Sequence, residues 1–382
     1  MHGIYLDNAS TSWPKAPTVA STMSEYITTC SSNIARGGYE SAYDTALVVH
    51  QTRELLGSLF GFSHPECTVF TTNVTQSLNM VIKGLFTKED HILVSSMEHN
   101  AVMRPLVQTG IPFSRIPCDL MGRLNIDSIH SLVQKNTKAI IITLASNVSG
   151  TVMPIETVAS LCKDLGLLCI VDSAQGSPVI PLSMEGMGID AIAFTGHKGL
   201  LGPQGIGGLL LTPDLARRID PLVTGGTGSM SESEEIPPYL PDRLEAGTLN
   251  LPGIIGLHAS LQYFLKHKDE LIAREMEATS QLLEFFLSCP QAKLKGLPTI
   301  EGRTSAISID FPAFDNAIVS YKLQELAGIE TRVGLQCAPS AHKTLKTFPR
   351  GTVRFSPGYF TLTAEINETV AVCKRALKEL GE

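Results

Sequence analysis

The sequence predicts an α/β protein in which a large domain on a mainly parallel seven-stranded sheet is followed by a smaller C-terminal α/β domain. Three observations carry this. Between residues 67 and 212, seven short apolar, β-branched runs recur: "CTVFTT", "HILVSS", "IPFSRIP", "AIIITLAS", "LLCIVDSA", "AIAFTG" and "IGGLLLT". Most are separated by stretches with helical spacing, such as "TQSLNMVIKGL" and "IETVASLCKDLG", and that alternation places helices on both faces of a parallel sheet. A second cycle follows, with a helical pattern over about 254–288, then "TSAISIDF", another helix and "GTVRFS".

Taken in order, residues 1–14 form an N-terminal segment expected to pack on the small domain, residues 15–255 the large domain and residues 256–382 the small one. The last two runs of the large domain are joined only by a Gly-rich loop. It is too short for a helical crossover, so the final strand is expected to be antiparallel. Residues 224–253, rich in Gly, Ser and Pro, show no periodicity. A stretch of that length inside a compact fold is usually functional or packed on a partner.

Composition excludes several function classes. A chain of 382 residues, 43% hydrophobic and 18% charged, buries a core large enough for two domains around one site. A net charge of -7 without Lys/Arg blocks argues against gripping a phosphate backbone, so no nucleic-acid partner is expected. The opening "MHGIYLDNAS" lacks a basic start and an apolar core, and no later run is long enough to cross a bilayer. A cytoplasmic location and no membrane partner are therefore expected. The eight cysteines, at 30, 67, 118, 162, 169, 289, 337 and 373, form no C-x-x-C pair and no zinc-spaced Cys/His cluster. Neither a disulfide framework nor a metal site is indicated.

Chemistry is sought at the carboxyl ends of the strands, where open α/β sheets bind ligands. Thr75 and Gln76 fall at the start of a helix, a position suited to a phosphate or to a plain cap. His99, Asn147, Asp172 and Gln175 each follow a strand run. Singly they read as a packed histidine, a turn former and caps; their shared address is what points to a site. In "AIAFTGHKGLLGPQGIG", Lys198 stands directly after a buried strand and is flanked by glycines. Desolvation there lowers an amine pKa toward the neutral nucleophile needed to hold an aldehyde. With Asp172 on a neighbouring strand, the pair meets the needs of pyridoxal 5'-phosphate, a lysine for its aldehyde and a carboxylate for its ring nitrogen.

"DNASTS", "TNVTQSLN", "MEHNA", "SNVSGT", "VDSAQ", "TGHK", "RLEAGT" and "RVGLQCA" occur in this order across nearly the whole chain. In order and spacing the sequence resembles the class V, fold-type I pyridoxal phosphate enzymes, and most of all their SufS-like cysteine desulfurase and selenocysteine lyase branch. The resemblance implies the following roles. Lys198 holds the cofactor, Asp172 faces its ring nitrogen, Gln175 approaches its phenolic oxygen and His99 stacks on the ring and shuttles protons. Thr75, Gln76, Thr195 and His197 bind the phosphate, with Thr248 reaching it across a homodimer interface. Arg354 binds the substrate carboxylate with Asn147, Asn8 and Ala9, and Cys337 takes the sulfur of L-cysteine as a persulfide for a protein acceptor. L-selenocysteine as substrate, another class V reaction and a non-catalytic cofactor-binding protein remain open. Arg332, Arg354 and His342 are the candidates for the positive charge that a reactive Cys337 needs.

Three positions depart from the family's pattern: Thr195 stands for Ser before Gly-His-Lys, Gln336 for His before the cysteine, and Phe360-Thr361 for Asn-Thr after the arginine strand.

Overall fold

All seven runs are strands of one sheet: β1 Thr68–Thr71, β2 His91–Ser95, β3 Phe113–Ile116, β4 Thr137–Thr143, β5 Leu168–Asp172, β6 Ala191–Thr195 and β7 Gly207–Leu211. The computed structural model describes residues 3–30, 32–34 and 37–382. The strands lie in the order β1-β7-β6-β5-β4-β2-β3. Strands β2 to β6 are parallel, and β7 runs antiparallel to both β6 and β1, as the short connection requires. Ile140, Ile141, Ile142, Ile170, Val171, Ile192 and Phe194 are all fully buried. Covering on both faces makes these strands continuous apolar runs rather than alternating ones. Each such side chain contributes about 1.5–3 kcal/mol by leaving water.

The second sheet contains β8 Lys293–Lys295, β9 Ile307–Asp310, β10 Arg332–Gly334 and β11 Thr352–Phe355. It is antiparallel throughout, in the order β10-β11-β9-β8. The helix Leu251–Ser288 begins slightly before the expected start, where Asn250 caps it by accepting from the Gly253 amide. It joins two cores. Ile254, Leu257 and Leu261 pack with the seven-stranded sheet, whereas Leu282, Leu283 and Phe286 pack with β9 and β11. Ile4 and Leu6 belong to the second core, and the N-terminal segment is tied there by Leu6 N donating to Glu330 O at 2.9 Å and Asn8 N to Ser356 O at 3.1 Å.

The segment after Cys337 packs on the large sheet. Ala338, Ala341 and Leu345, on and beside the short helix Pro339–Thr344, are buried in the core of the large sheet. The cysteine loop thus starts on one sheet and is anchored on the other. Up to Asn250 the Gly/Ser/Pro-rich stretch is irregular apart from one turn of 3-10 helix at Asp242–Leu244. It is pinned by a buried ion pair in which Arg53 donates to both carboxylate oxygens of Glu245, at 3.0 and 2.8 Å. Glu245 also accepts from the Phe70 amide at 2.5 Å, so the "RLEAGT" carboxylate fastens the stretch to β1.

Candidate active site

Strand ends assemble the site. Lys198 sits in the turn after β6, closed by Leu201 N donating to Lys198 O at 2.9 Å and Gly202 N to Gly196 O at 2.8 Å. A Cβ at Gly199 would lie 2.2 Å from the Ser177 carbonyl oxygen, so only glycine lets the chain pass there. Lys198 is half-buried, borders a cavity, and its ammonium has no hydrogen-bond partner among the described residues. Desolvation pulls its pKa from 10.5 to about 8, against the pull of Asp172. Asp172, the last residue of β5, is 2% exposed. Its carboxylate accepts from Ala174 N at 3.0 Å. Burial pushes that carboxyl up, and the Ala174 amide and the Lys198 ammonium draw it back.

His99 caps the helix Asn100–Thr109, its Nδ1 accepting from Ala101 N at 3.0 Å. That bond leaves the ring proton on Nε2. Burial, then the Lys198, Arg104 and Arg354 charges, lowers the imidazole pKa to about 4, so the ring is a neutral hydrogen-bond donor.

The residues present fit pyridoxal phosphate. Thr195 Oγ1 and His197 Nδ1 are buried without hydrogen-bond partners, which is what a phosphate with strong acceptor oxygens would satisfy. Thr195 thus keeps the hydroxyl that a serine would supply. Asp172, buried with a single amide donor, suits a protonated ring nitrogen.

The N-terminal segment supplies a residue to which sequence reasoning gave no role. Asp7 bridges both arginines: Oδ1 takes Arg354 Nη2 at 2.9 Å, and Oδ2 takes Arg332 Nε at 3.0 Å and Nη2 at 2.9 Å. Arg354 also donates to Ser10 Oγ at 2.7 Å and to the Asn147 carbonyl at 2.9 Å, while its Nε stays buried and unpaired. Asp7→Asn is expected to raise the KM for an amino-acid substrate at least about tenfold, because removing one member of a buried charge cluster is strongly destabilising to what remains. Steady-state kinetics checks this.

Cys337 is exposed and lines one cavity with His99 and Thr75. Of the three candidate charges beside it, His342 is eliminated, because full burial holds its ring neutral with a pKa near 4. Arg332 and Lys198 are the cations in electrostatic contact with the Cys337 thiol.

The other expected residues lie close by. Gln175 Nε2 donates to Ala9 O at 2.7 Å, and Gln175, Asn8, Ala9 and Lys198 border a shared cavity. Asn8 and Ala9 are fixed on Ser356, at 3.1 and 3.0 Å. Gln76 turns its Oε1 back onto Thr72 N and Oγ1, both at 2.8 Å, and so locks its own helix turn, whose cap is Asn73. Thr248 is exposed and lines a separate cavity with Gln76, away from Lys198.

Glu98, beside His99 in "MEHNA", was also given no role. Its Oε1 accepts from Ser95 Oγ at 2.5 Å and Thr143 N at 3.0 Å, bracing β2 against β4 where Thr143 pairs with Asp172. Burial raises it to about 8. No group of metal-binding side chains occurs among the described residues, all eight cysteines are free, and no helix among the described residues is long and apolar enough to cross a membrane.

A lysine amine in electrostatic contact with a buried carboxylate, at the carboxyl edge of a mainly parallel sheet, is an arrangement proper to an α/β enzyme. The chain belongs to the aminotransferase class-V family, whose model matches residues 4–368. Over 371 residues it is 32% identical to a probable cysteine desulfurase of Methanothermobacter thermautotrophicus, covering 95% of this chain and 92% of that one. A probable cysteine desulfurase of Streptomyces coelicolor is 30% identical over 384 residues, covering 96% and 90%. The solved apo structure of a cysteine desulfurase from Thermococcus onnurineus has a TM-score of 0.91 at 26% identity, covering 99% of this chain and 95% of that one.

Proposed function

We propose that this chain is a pyridoxal 5'-phosphate-dependent cysteine desulfurase, acting as a cytoplasmic homodimer. In this reading it converts L-cysteine to L-alanine and carries the sulfur as a persulfide on Cys337 for a thiol acceptor. The observation that carries the reading is the exposed Cys337 sharing a cavity with His99, next to the Lys198–Asp172 pair. The cysteine desulfurases among its relatives support it.

When bound, the cofactor supplies an electron sink that weakens the substrate Cα–H and Cβ–S bonds. Lys198 holds it, with Asp172 at the ring nitrogen and Thr195, His197 and Thr75 at the phosphate. The partner's Thr248 completes the phosphate cradle, which accounts for an exposed threonine on a pinned but irregular stretch. Arg354, oriented by Asp7 and Asn147, takes the substrate carboxylate. The Lys198 amine removes the α-proton, and His99 Nε2 offers its proton at the reacting face. Cys337 Sγ attacks the substrate sulfur, so that an S–S bond forms as Cβ–S breaks. The carbon fragment takes up a proton and leaves as alanine, and the protein keeps the sulfur.

Because only the neutral amine attacks an aldehyde, Lys198 is expected to capture added cofactor faster as pH rises toward about 8 and no faster above it. An ordinary lysine would keep gaining up to about 10.4. Absorbance during reconstitution of the apo protein checks this. The function is tested by assaying sulfide and alanine from L-cysteine with reductant, then by mass spectrometry of Cys337 without it. No alanine, or no added sulfur on Cys337, overturns the reading.

A further inference from the structure

Gln336 and Cys337 are consecutive non-glycine residues in the left-handed region, with φ of 41° and 58°. Each such residue costs of the order of 1–3 kcal/mol and persists only where its surroundings over-determine it. Here they do. The Gln336 carbonyl accepts from Asn147 Nδ2 at 2.6 Å, and the Cys337 carbonyl accepts from the Asn100 amide, at the start of the helix that His99 caps, at 2.9 Å.

The Gln336 side chain points inward, where it is 8% exposed. Its Nε2 donates to Thr352 O at 3.0 Å and its Oε1 meets His342 Nε2 at 2.7 Å. His342 Nδ1 in turn meets Thr347 Oγ1 at 2.7 Å. The protons are dictated by the partners. A carbonyl only accepts, so the amide nitrogen must face Thr352; Oε1 then accepts, so His342 carries its proton on Nε2 and takes the Thr347 hydroxyl proton at Nδ1. Each of these side chains is buried and hydrogen-bonded, and a buried network of this kind favours one conformation.

We infer that Gln336 and His342 are positioning residues for Cys337: their buried hydrogen-bonded pair locks the left-handed turn that points the thiol outward beside His99. The loop therefore presents its sulfur without a closing motion. The inference rests on the desulfurase reading for what the posture is for.

The test compares Gln336→Ala, His342→Ala, His342→Gln and Thr347→Val with the wild type. His342→Gln keeps a donor where Nε2 stood, and the last two variants change buried volume least. In the alanine variants kcat for alanine release is expected to fall about tenfold or more, since small misplacements of a reacting group are costly. The KM and the cofactor absorbance should stay unchanged, and His342→Gln should recover to within about threefold of wild type, a loss of under about 0.7 kcal/mol. Alkylation of Cys337 by iodoacetamide reads the same posture without turnover. It should slow severalfold in Gln336→Ala, and in Thr347→Val if the alanine variants do not fold. Unchanged kcat and unchanged alkylation, or a His342→Gln variant as impaired as His342→Ala, overturns the inference. A wild type that forms no persulfide overturns the functional reading instead, and the alkylation rates still decide the posture.

Discussion

Lys198→Ala is expected to give a folded protein that retains no covalently held cofactor and loses at least about a thousandfold in turnover, the scale on which removing a nucleophile acts. The fold should survive because two terms oppose each other. Truncating a long, half-buried side chain opens a cavity at a cost of a few kcal/mol, about 2–5 for large-to-alanine changes. Lys198, however, is a base whose folded pKa, about 8, lies below its ordinary 10.5. Below pH 8 the folded protein holds a desolvated ammonium at a penalty of about 3 kcal/mol, which fades as pH rises from 8 to 10.5. Alanine removes that penalty, so the apo variant at pH 7 should melt within a few degrees of the apo wild type. Calorimetry and absorbance after dialysis against excess cofactor test both halves. A variant that keeps its colour and activity would dismiss Lys198 as the nucleophile.

The same desolvation explains which parts of the site were legible. β4, β5 and β6 read clearly because both faces are covered, which demands uninterrupted apolar runs. The lysine and the aspartate at their ends stood out against those runs. β8 and β10 left no such mark. They are three-residue edge strands of the small sheet, and none of their residues is fully buried, so burial imposed no continuous apolar run on them.

Asp7 and Glu98 lay inside recognised motifs yet had no role to read. What Asp7 does depends on Arg332 and Arg354, more than 300 residues away in the chain. What Glu98 does depends on a backbone amide of β4. The His99 ring shifted for a similar reason: its pKa answers to neighbours that only folding brings to it. Gln336 marks the limit. Neither glutamine nor cysteine favours the left-handed region, and no local signal announces two such residues in succession. The departure from the family's histidine was visible; that the side chain faces the interior was not.

Cys337→Ala separates the persulfide mechanism from its rivals. The side chain is exposed and makes no hydrogen bond through its sulfur among the described residues, so stability should change by no more than about 0.5 kcal/mol. Cofactor uptake should be unchanged, since Lys198, Asp172, Thr195 and His197 are untouched. Desulfuration of L-cysteine should nevertheless fall at least about a hundredfold, because the Cβ–S bond then breaks with no thiolate to accept the sulfur. Selenium leaves more readily than sulfur, so turnover of L-selenocysteine should fall far less. Side-by-side alanine release from the two substrates, wild type against variant, gives the answer directly. Cysteine turnover that survives intact would make Cys337 incidental and leave a C–S lyase that needs no persulfide. Equal losses on both substrates would mean that the thiol acts on something other than the departing chalcogen, with the proton economy around His99 and Arg332 as the place to look.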